Sequence, residues 1–498
     1  MNRFLTFLLV AASVSAAVAD TLPSSDDSIT IYSRMQPGAV APEWYRPTAG
    51  RQQGGNVPGY AIVRHDRSYD IEKGANPLRV TDVAALIDPT TVTFSSLDKP
   101  GTRVLEQSFQ FDLVSQQKLL QRYLGQRIIV EQVRGDQVDL LDGTLLGIGD
   151  GLTLQMDDGS VRAVRSYSNL QFSQLPGGLN TRPTLEWLLD SPSSGQQKTR
   201  IAYETQGMTW WADYNIILDE SDGCAMDLSS WVSIINQSGA GYQSARLKLI
   251  AGDVNRAKPH RREREVMYQA AVAEAPQGFA EKAFFEYHLY TLGRRTDLPN
   301  NSTKQIELIP TAGGVSCQKE LVFAPTLAYG GYGQPQLTQE FGRHSKGEVN
   351  VYLRFANEKQ HGLGMPLPAG RIRVNQLDEA DGSLEFIGED VIDHTPRNED
   401  VQIRMGNAFD VVGERTQTDF RADSKTRNLW ETFEIKLRNH KDQEANITVL
   451  ENLYRSSNWK IENTSHSFTK ENSNRIRFDV KVPSEGEAVI RYTAHYSW

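Results

Sequence analysis

Residues 203–255 read YETQGMTWWADYNIILDESDGCAMDLSSWVSIINQSGAGYQSARLKLIAGDVN. Positions 214–218 and 231–235 are dense in aromatic and β-branched side chains, which pack well on a pleated surface. Ala245-Arg-Leu-Lys-Leu-Ile250 alternates apolar and polar residues, the period of a half-buried strand. Asp222-Gly223 and Gly239-Ala-Gly241 supply the backbone freedom that tight turns need. Strand-like runs of this kind recur along most of the chain, and they confine it to sheets packed on sheets.

The same reading extends in both directions. Residues 20–59 are rich in Pro, Gly, Ser and Gln and form a flexible lead. Short strand-like runs occupy 60–115, among them Tyr60-Ala-Ile-Val63 and Thr91-Val-Thr-Phe94. Gln116-Gln-Lys-Leu-Leu-Gln-Arg-Tyr123 has apolar residues at helical spacing. Five short strands follow it, with Asp142-Gly143, Asp150-Gly151 and Asp158-Gly159 as turns. A helix and five strands between 116 and 175 predict a small SH3-like or Sm-like barrel inserted near the front. Residues 180–255 open a β-sandwich, 256–280 form a basic, Ala-rich linker, and 281–410 continue the sandwich. Residues 411–498 have the length and strand spacing of an immunoglobulin-like domain. The expected fold class is therefore all-β: a multi-domain β-sandwich with one inserted barrel.

Arg3, the apolar run at 4–12 and the small-x-small site Ala17-Val-Ala19 predict a secretory signal peptide at 1–19. No later run is apolar for about 20 residues, so no transmembrane helix is expected. The formal charge of −9 argues against nucleic acid as a partner. In an exported chain Cys224 and Cys317 are candidates for a disulfide. Asn-x-Ser/Thr sequons stand at Asn236, Asn301, Asn446 and Asn463.

Several separated pieces resemble one family. They are Thr205-x-Gly207 with Trp210 and Tyr214, Trp231-Val-x-Ile, Asn236-x-Ser-Gly, Tyr242-x-x-Ala245 and Ala251-Gly-Asp-Val-Asn255. Downstream come Tyr287-x-Leu-Tyr290, Lys304-Gln-Ile306, Pro366-Leu-Pro-Ala-Gly370, His394-Thr-Pro396 and Ala408-Phe-Asp410. Over residues 200–498 this pattern resembles the exported bacterial domain-of-unknown-function 4139 family, related to mucoidy-inhibitor-A-like proteins. The resemblance implies an exported β-sandwich protein with no agreed activity, in a bacterial periplasm or envelope. The relatives carry a coiled-coil-forming stretch where this chain carries the small module.

No nucleophile elbow, zinc-protease helix motif or phosphate-cradling loop occurs, and no cofactor or metal is expected. His394, Glu399 and Asp400 fall on one short loop and are the nearest approach to an acid–base or metal site. Asp219-Glu-Ser-Asp-Gly223 and Asp378-Glu-Ala-Asp-Gly382 lack calcium-loop spacing and read as hairpin turns. Trp210 and Trp211 must point to opposite faces of a strand, which leaves Trp211 as a candidate surface aromatic. With Tyr242, Tyr287, Tyr329 and Tyr332 it makes the set of expected contact residues, because aromatics are enriched at interfaces. The functional expectation is a non-catalytic module that binds or scaffolds another envelope protein or a surface polymer. A hydrolase of an envelope polymer is the second reading. The third is an outer-membrane barrel, prompted by the alternating end Ile490, Tyr492, Ala494, Tyr496, Trp498.

Overall fold

The computed structural model describes residues 26–33, 57–134, 137–177, 179–219, 224–252, 254, 278–325, 335–340, 344–378 and 380–498. Strands take up 68% of the chain and helix 2%, so the all-β, multi-domain architecture is the one observed. The chain divides into two compact units. One comprises Met1–Ile29, Ile62–Thr205 and Tyr242–Arg246, the other Thr30–Ala61, Gln206–Gly241 and Leu247–Trp498.

In the first unit, Thr184–Ser191 is the middle strand of an antiparallel three-stranded sheet, flanked by Gly74–Val80 and Arg103–Gln110. Ile87–Ser96 pairs with Gly195–Gln206. The small module enters and leaves this unit at one point. Val114 N–H donates to the carbonyl of Asn180, and Asn180 N–H to that of Asp112. Adjacent entry and exit points let a whole module be inserted without disturbing the host. Its helix, Gln116–Arg122, begins at Ser115, whose hydroxyl accepts from Lys118 N–H at 3.2 Å; this satisfies a donor that the first turn leaves unpaired. Leu120 and Tyr123 drop onto Ile128, Val130, Leu145, Leu154 and Val164 to make one core.

The five strands run in the order Asn169–Phe172, Arg127–Arg134, Gln137–Ile148, Leu152–Gln155, Val161–Val164. Hydrogen bonding follows this path, and the five strands lie over one core with the helix. Asp142-Gly143 is not a turn. It lies inside Gln137–Ile148, opposite Ile129 and Ile128. A Cβ on Gly143 would stand 2.8 Å from the carbonyl oxygen of Gln155, so glycine here permits a close strand approach. The ladder between these two strands runs out to the pair Arg134 and Gln137. Asp158-Gly159 is the turn expected, with Gly159 at φ +83°.

The strand Gly59–Ile71 carries the polar seam of the first unit on alternate positions. His65 is 1% exposed, with Nδ1 2.7 Å from the Asp27 carboxylate and Nε2 3.0 Å from the Tyr203 hydroxyl. Two residues on, Arg67 donates from both terminal nitrogens to Asp82, at 2.5 and 2.7 Å. Burial favours the neutral acid at Asp82, but the Arg67 hydrogen bond and charge outweigh it and hold the carboxyl below its usual range. Asp66 is held low in the same way by Arg200.

In the second unit, Met208–Asp219 pairs antiparallel with Ala225–Asn236 and parallel with Gly370–Leu377, which pairs in turn with Leu384–Ile392. The parallel approach is close: a Cβ on Gly370 would meet the Ala212 carbonyl oxygen at 2.3 Å. Two buried tyrosines fix the preceding Pro366-Leu-Pro368 segment, Tyr290 donating to the Pro366 carbonyl and Tyr214 to that of Pro368, both at 2.8 Å. The 22-residue strand Ser302–Phe323 changes partners along its length. Through Ser316 it pairs with Ala225–Asn236; from Cys317 it pairs with His344–Ala356. At the changeover Cys317 N–H donates to the Cys224 carbonyl and the two cysteines form a disulfide, Cα–Cα 5.0 Å.

Asp400–Asp423 pairs with His344–Ala356 through Thr416 and with Asn428–Asn439 from Val411, so it holds both neighbours where the two ladders overlap. The boundary expected at 410/411 falls inside this continuous strand. Beyond it a sandwich forms. One layer holds Asn428–Asn439, Gly486–Ser497 and Asn458–Thr464; the other holds Ala445–Asn452, Arg475–Val482 and Thr469–Asn472. Ile490, Tyr492, Ala494 and Tyr496 are at most 1% exposed. They pack with Phe433 and Phe478 in one core, so the terminal alternation is that of an inward-facing sandwich strand. Two ion pairs lie in this interior. Arg415 Nε reaches Glu451 at 2.9 and 3.1 Å, with the Tyr492 hydroxyl donating to the same carboxylate. Arg455 Nε reaches Glu431 at 2.7 Å while its Nη1 donates to the carbonyls of Gln336 and Thr338.

Two predictions follow from this packing. The disulfide spans 93 residues, so the double variant Cys224→Ala/Cys317→Ala is expected to lose about 2–4 kcal/mol in urea unfolding, because the cross-link restricts the unfolded chain. Asp82 has a folded pKa below its unfolded value, so its contribution is present above about pH 4 and fades as pH falls through the folded pKa. Asp82→Asn is therefore less stable than the parent at pH 7, and the gap between the two urea midpoints narrows below about pH 4.

Candidate binding cleft

The loop bearing His394, Glu399 and Asp400 is organised by a residue outside it. Asn357 is fully buried and uses every polar group it has. Its amide donates to the carbonyls of Met365 and Pro396, and its side-chain oxygen accepts from Gly364 N–H. Its backbone N–H donates to the Glu399 carbonyl and its own carbonyl accepts from Asn398 N–H. Asn236 and Asn439 repeat the device at the ends of their strands, each bonding carbonyls of a neighbouring segment. Asn236, one of the four sequon positions, is thus buried.

The three polar residues of the loop are engaged apart from one another. His394 Nδ1 accepts from Ala369 N–H at 3.0 Å, and Asp400 stands 3.3 Å from Arg354. Glu399 is exposed. Among the described residues no group of three His, Cys, Asp or Glu is placed to hold a metal ion.

The expected contact aromatics fare unevenly. Trp210 and Trp211 do point to opposite faces, but both faces are covered. Trp210 packs near Tyr290, and Trp211, 8% exposed, lies against Val57 and Ile235 with its Nε1 donating to Asp213 at 2.7 Å. Trp231, opposite Asp213 on the neighbouring strand and outside the expected set, is exposed at 39%. Tyr242 is buried beside His65. Tyr287 is half-buried over Gly252, near the exposed ring of Phe285. Tyr329 and Tyr332 lie outside the described residues.

A different place in the second unit has the form of a binding site. A cleft of about 920 Å³ opens where four strands end: Met208–Asp219, Ala225–Asn236, Gly370–Leu377 and Leu384–Ile392. Register puts Ile217 beside Asn375 and Asn375 beside Phe386, with Leu377 opposite Leu384. Because strand side chains alternate, Ile217, Leu377, Leu384 and Phe386 share one face. They are 40%, 49%, 52% and 61% exposed. Contiguous apolar exposure on this scale marks contact surfaces more often than scattered single residues do.

Four carboxylates line the cleft, Asp219, Asp227, Asp378 and Glu385, and its described lining holds no Lys, Arg or His. Asp227 accepts from Gly314 N–H at 3.0 Å, which fixes its carboxylate at the rim. Asp378 and Glu385 flank the hairpin closed by Gly382 at φ +76°. Asp378 accepts from Ala380 N–H and Glu385 from the Ser383 hydroxyl. Gly382 N–H donates to the Asp378 carbonyl, closing the turn expected and setting acidic groups at the mouth.

No protein-family model matches the chain, and no curated protein matches it. The structure makes the role of Asn357 testable. Asn357→Ala removes the donor to the carbonyls of Met365 and Pro396 and the acceptor for Gly364 N–H, and a loss of about 1–3 kcal/mol in all is expected. Urea unfolding measures it, and faster amide exchange confined to residues 394–400 would locate the damage.

Proposed function

We propose that the chain is an exported envelope protein that works by binding another envelope component, and that the cleft beside Phe386 is its contact surface. The carrying observation is the exposed row Ile217, Leu377, Leu384 and Phe386 beside an acidic cleft of ligand-holding size. Export is supported by the signal-like residues 1–19 and by the paired cysteines, since disulfides persist in oxidising compartments. Kinship with the domain-of-unknown-function 4139 family rests on the separated pieces from Thr205 to Asp410. The partner is a protein, because the open sheet end offers apolar side chains together with backbone and carboxylate groups, the mixture that protein interfaces use.

The test is cross-linking in intact cells, affinity recovery of the tagged protein and mass spectrometry of what accompanies it. Leu384→Ser/Phe386→Ser alters exposed side chains only, so its stability should stay within about 0.5 kcal/mol of the parent. The parent should recover a stoichiometric partner and the double variant should lose most of it. Equal recovery by both proteins removes the cleft as the contact surface.

A further inference from the structure

The sheet that carries His65 has a second polar face. Four of its strands lie side by side in the order Tyr242–Ala251, Asp26–Ser33, Gly59–Ile71 and Gly195–Gln206. His65 and Arg67 are buried on one side of Gly59–Ile71, so Arg64 and Asp66 alternate to the other. Arg200 joins them there and holds both carboxylate oxygens of Asp66 at 2.7 Å. Arg246 donates to Asp26 at 3.0 Å. The side chains of Arg246, Arg200 and Asp26 are 51%, 39% and 39% exposed, so this cluster is open to solvent.

Among the described residues Arg64 has no such pair. Its Nε is shielded from solvent and meets no hydrogen-bond partner. Asp66 and Asp26 act on it through charge alone. Burial and the like charges of Arg200 and Arg246 push its pKa down, the mark of a guanidinium crowded by cations. A shielded donor without a protein partner calls for an acceptor from outside. The charges acting at Arg64 and Asp66, with their own, are four cations, Arg64, Arg200, Arg246 and Lys198, against two carboxylates, Asp66 and Asp26. Two positive charges are left over, in a chain whose formal charge is −9. An oxyanion answers both the excess charge and the unfilled donor. Guanidiniums on three separate strands need acceptors directed several ways. The tetrahedral oxygens of a phosphate supply them, whereas the two oxygens of a carboxylate lie in one plane. We infer that Arg64, flanked by Arg200 and Arg246, binds a phosphate group on this face, free or as the headgroup of a lipid. The inference stands apart from the cleft, whose lining residues all belong to the second unit.

The experiment is calorimetric titration of the full exported chain with inorganic phosphate at fixed ionic strength. Phosphate is expected to give saturable heat and acetate none. Arg64→Gln should weaken phosphate about tenfold, because it removes the charged fork. Its urea midpoint without phosphate should match the parent, since no protein group bonds that guanidinium. Asp26→Asn removes a competing carboxylate and should tighten phosphate several-fold, a gain that a purely structural cluster would not show. Arg103→Gln breaks an exposed ion pair with Asp190 and should leave binding unchanged. Flotation with phosphatidylcholine vesicles, with and without phosphatidic acid, separates the two sources. Capture by phosphatidic acid that inorganic phosphate reverses assigns the site to a lipid headgroup; phosphate heat without capture assigns it to free phosphate. No saturable phosphate heat, equal heat from acetate, equal affinity in Arg64→Gln, or a matching loss in Arg103→Gln overturns the inference.

Discussion

Every buried backbone N–H and C=O must find a partner, and in a chain made almost wholly of strands that partner must come from a neighbouring strand. This governs the second unit in particular. Ser302–Phe323 is too long for any single neighbour, so it exchanges one partner for another midway. That exchange point carries the Cys224–Cys317 bridge. Where strands end together without exchange, backbone and side chains are left facing outward. The cleft is such a place.

Burying polar groups in the sheets creates a second demand, met in the same style in both units. Arg67 with Asp82, Arg415 with Glu451 and Arg455 with Glu431 are each joined by more than one hydrogen bond or tied to a further group. An ion taken out of water is tolerable only when its partner's geometry and further hydrogen bonds offset the lost hydration. The three strand-end asparagines meet a related need, supplying donors to carbonyls that turns would otherwise leave unpaired. Arg455 does more than neutralise Glu431: by donating to the carbonyls of Gln336 and Thr338 it ties a segment distant in sequence to the sandwich interior.

Strand alternation was readable from residues alone, as in Ala245-Arg-Leu-Lys-Leu-Ile250 and at the C-terminal end, and so was the helix at 116–122. These depend on local periodicity. The errors have a common source in tertiary context. Asp142-Gly143 has turn chemistry, yet its glycine serves a close strand approach. Trp211 has the right parity for exposure, yet Val57 and Ile235 arrive from elsewhere to cover it. The cleft was hidden because its carboxylates come from separate strands. A faint signal existed: Leu377 and Leu384 flank the acidic hairpin, placing apolar residues where a solvated turn would carry polar ones.

The strand Gly486–Ser497 has neighbours on both sides, Asn428–Asn439 and Asn458–Thr464. The last of these strands to be synthesised thus fills the middle of its layer. Until it arrives, the two flanking strands have no common partner, and the apolar faces of Phe433 and Phe478 lack the tyrosine that joins them. A chain emerging from its N-terminal end therefore cannot assemble this sandwich progressively. Completion waits for residue 497, and the earlier strands remain open to outside binding for as long as that takes.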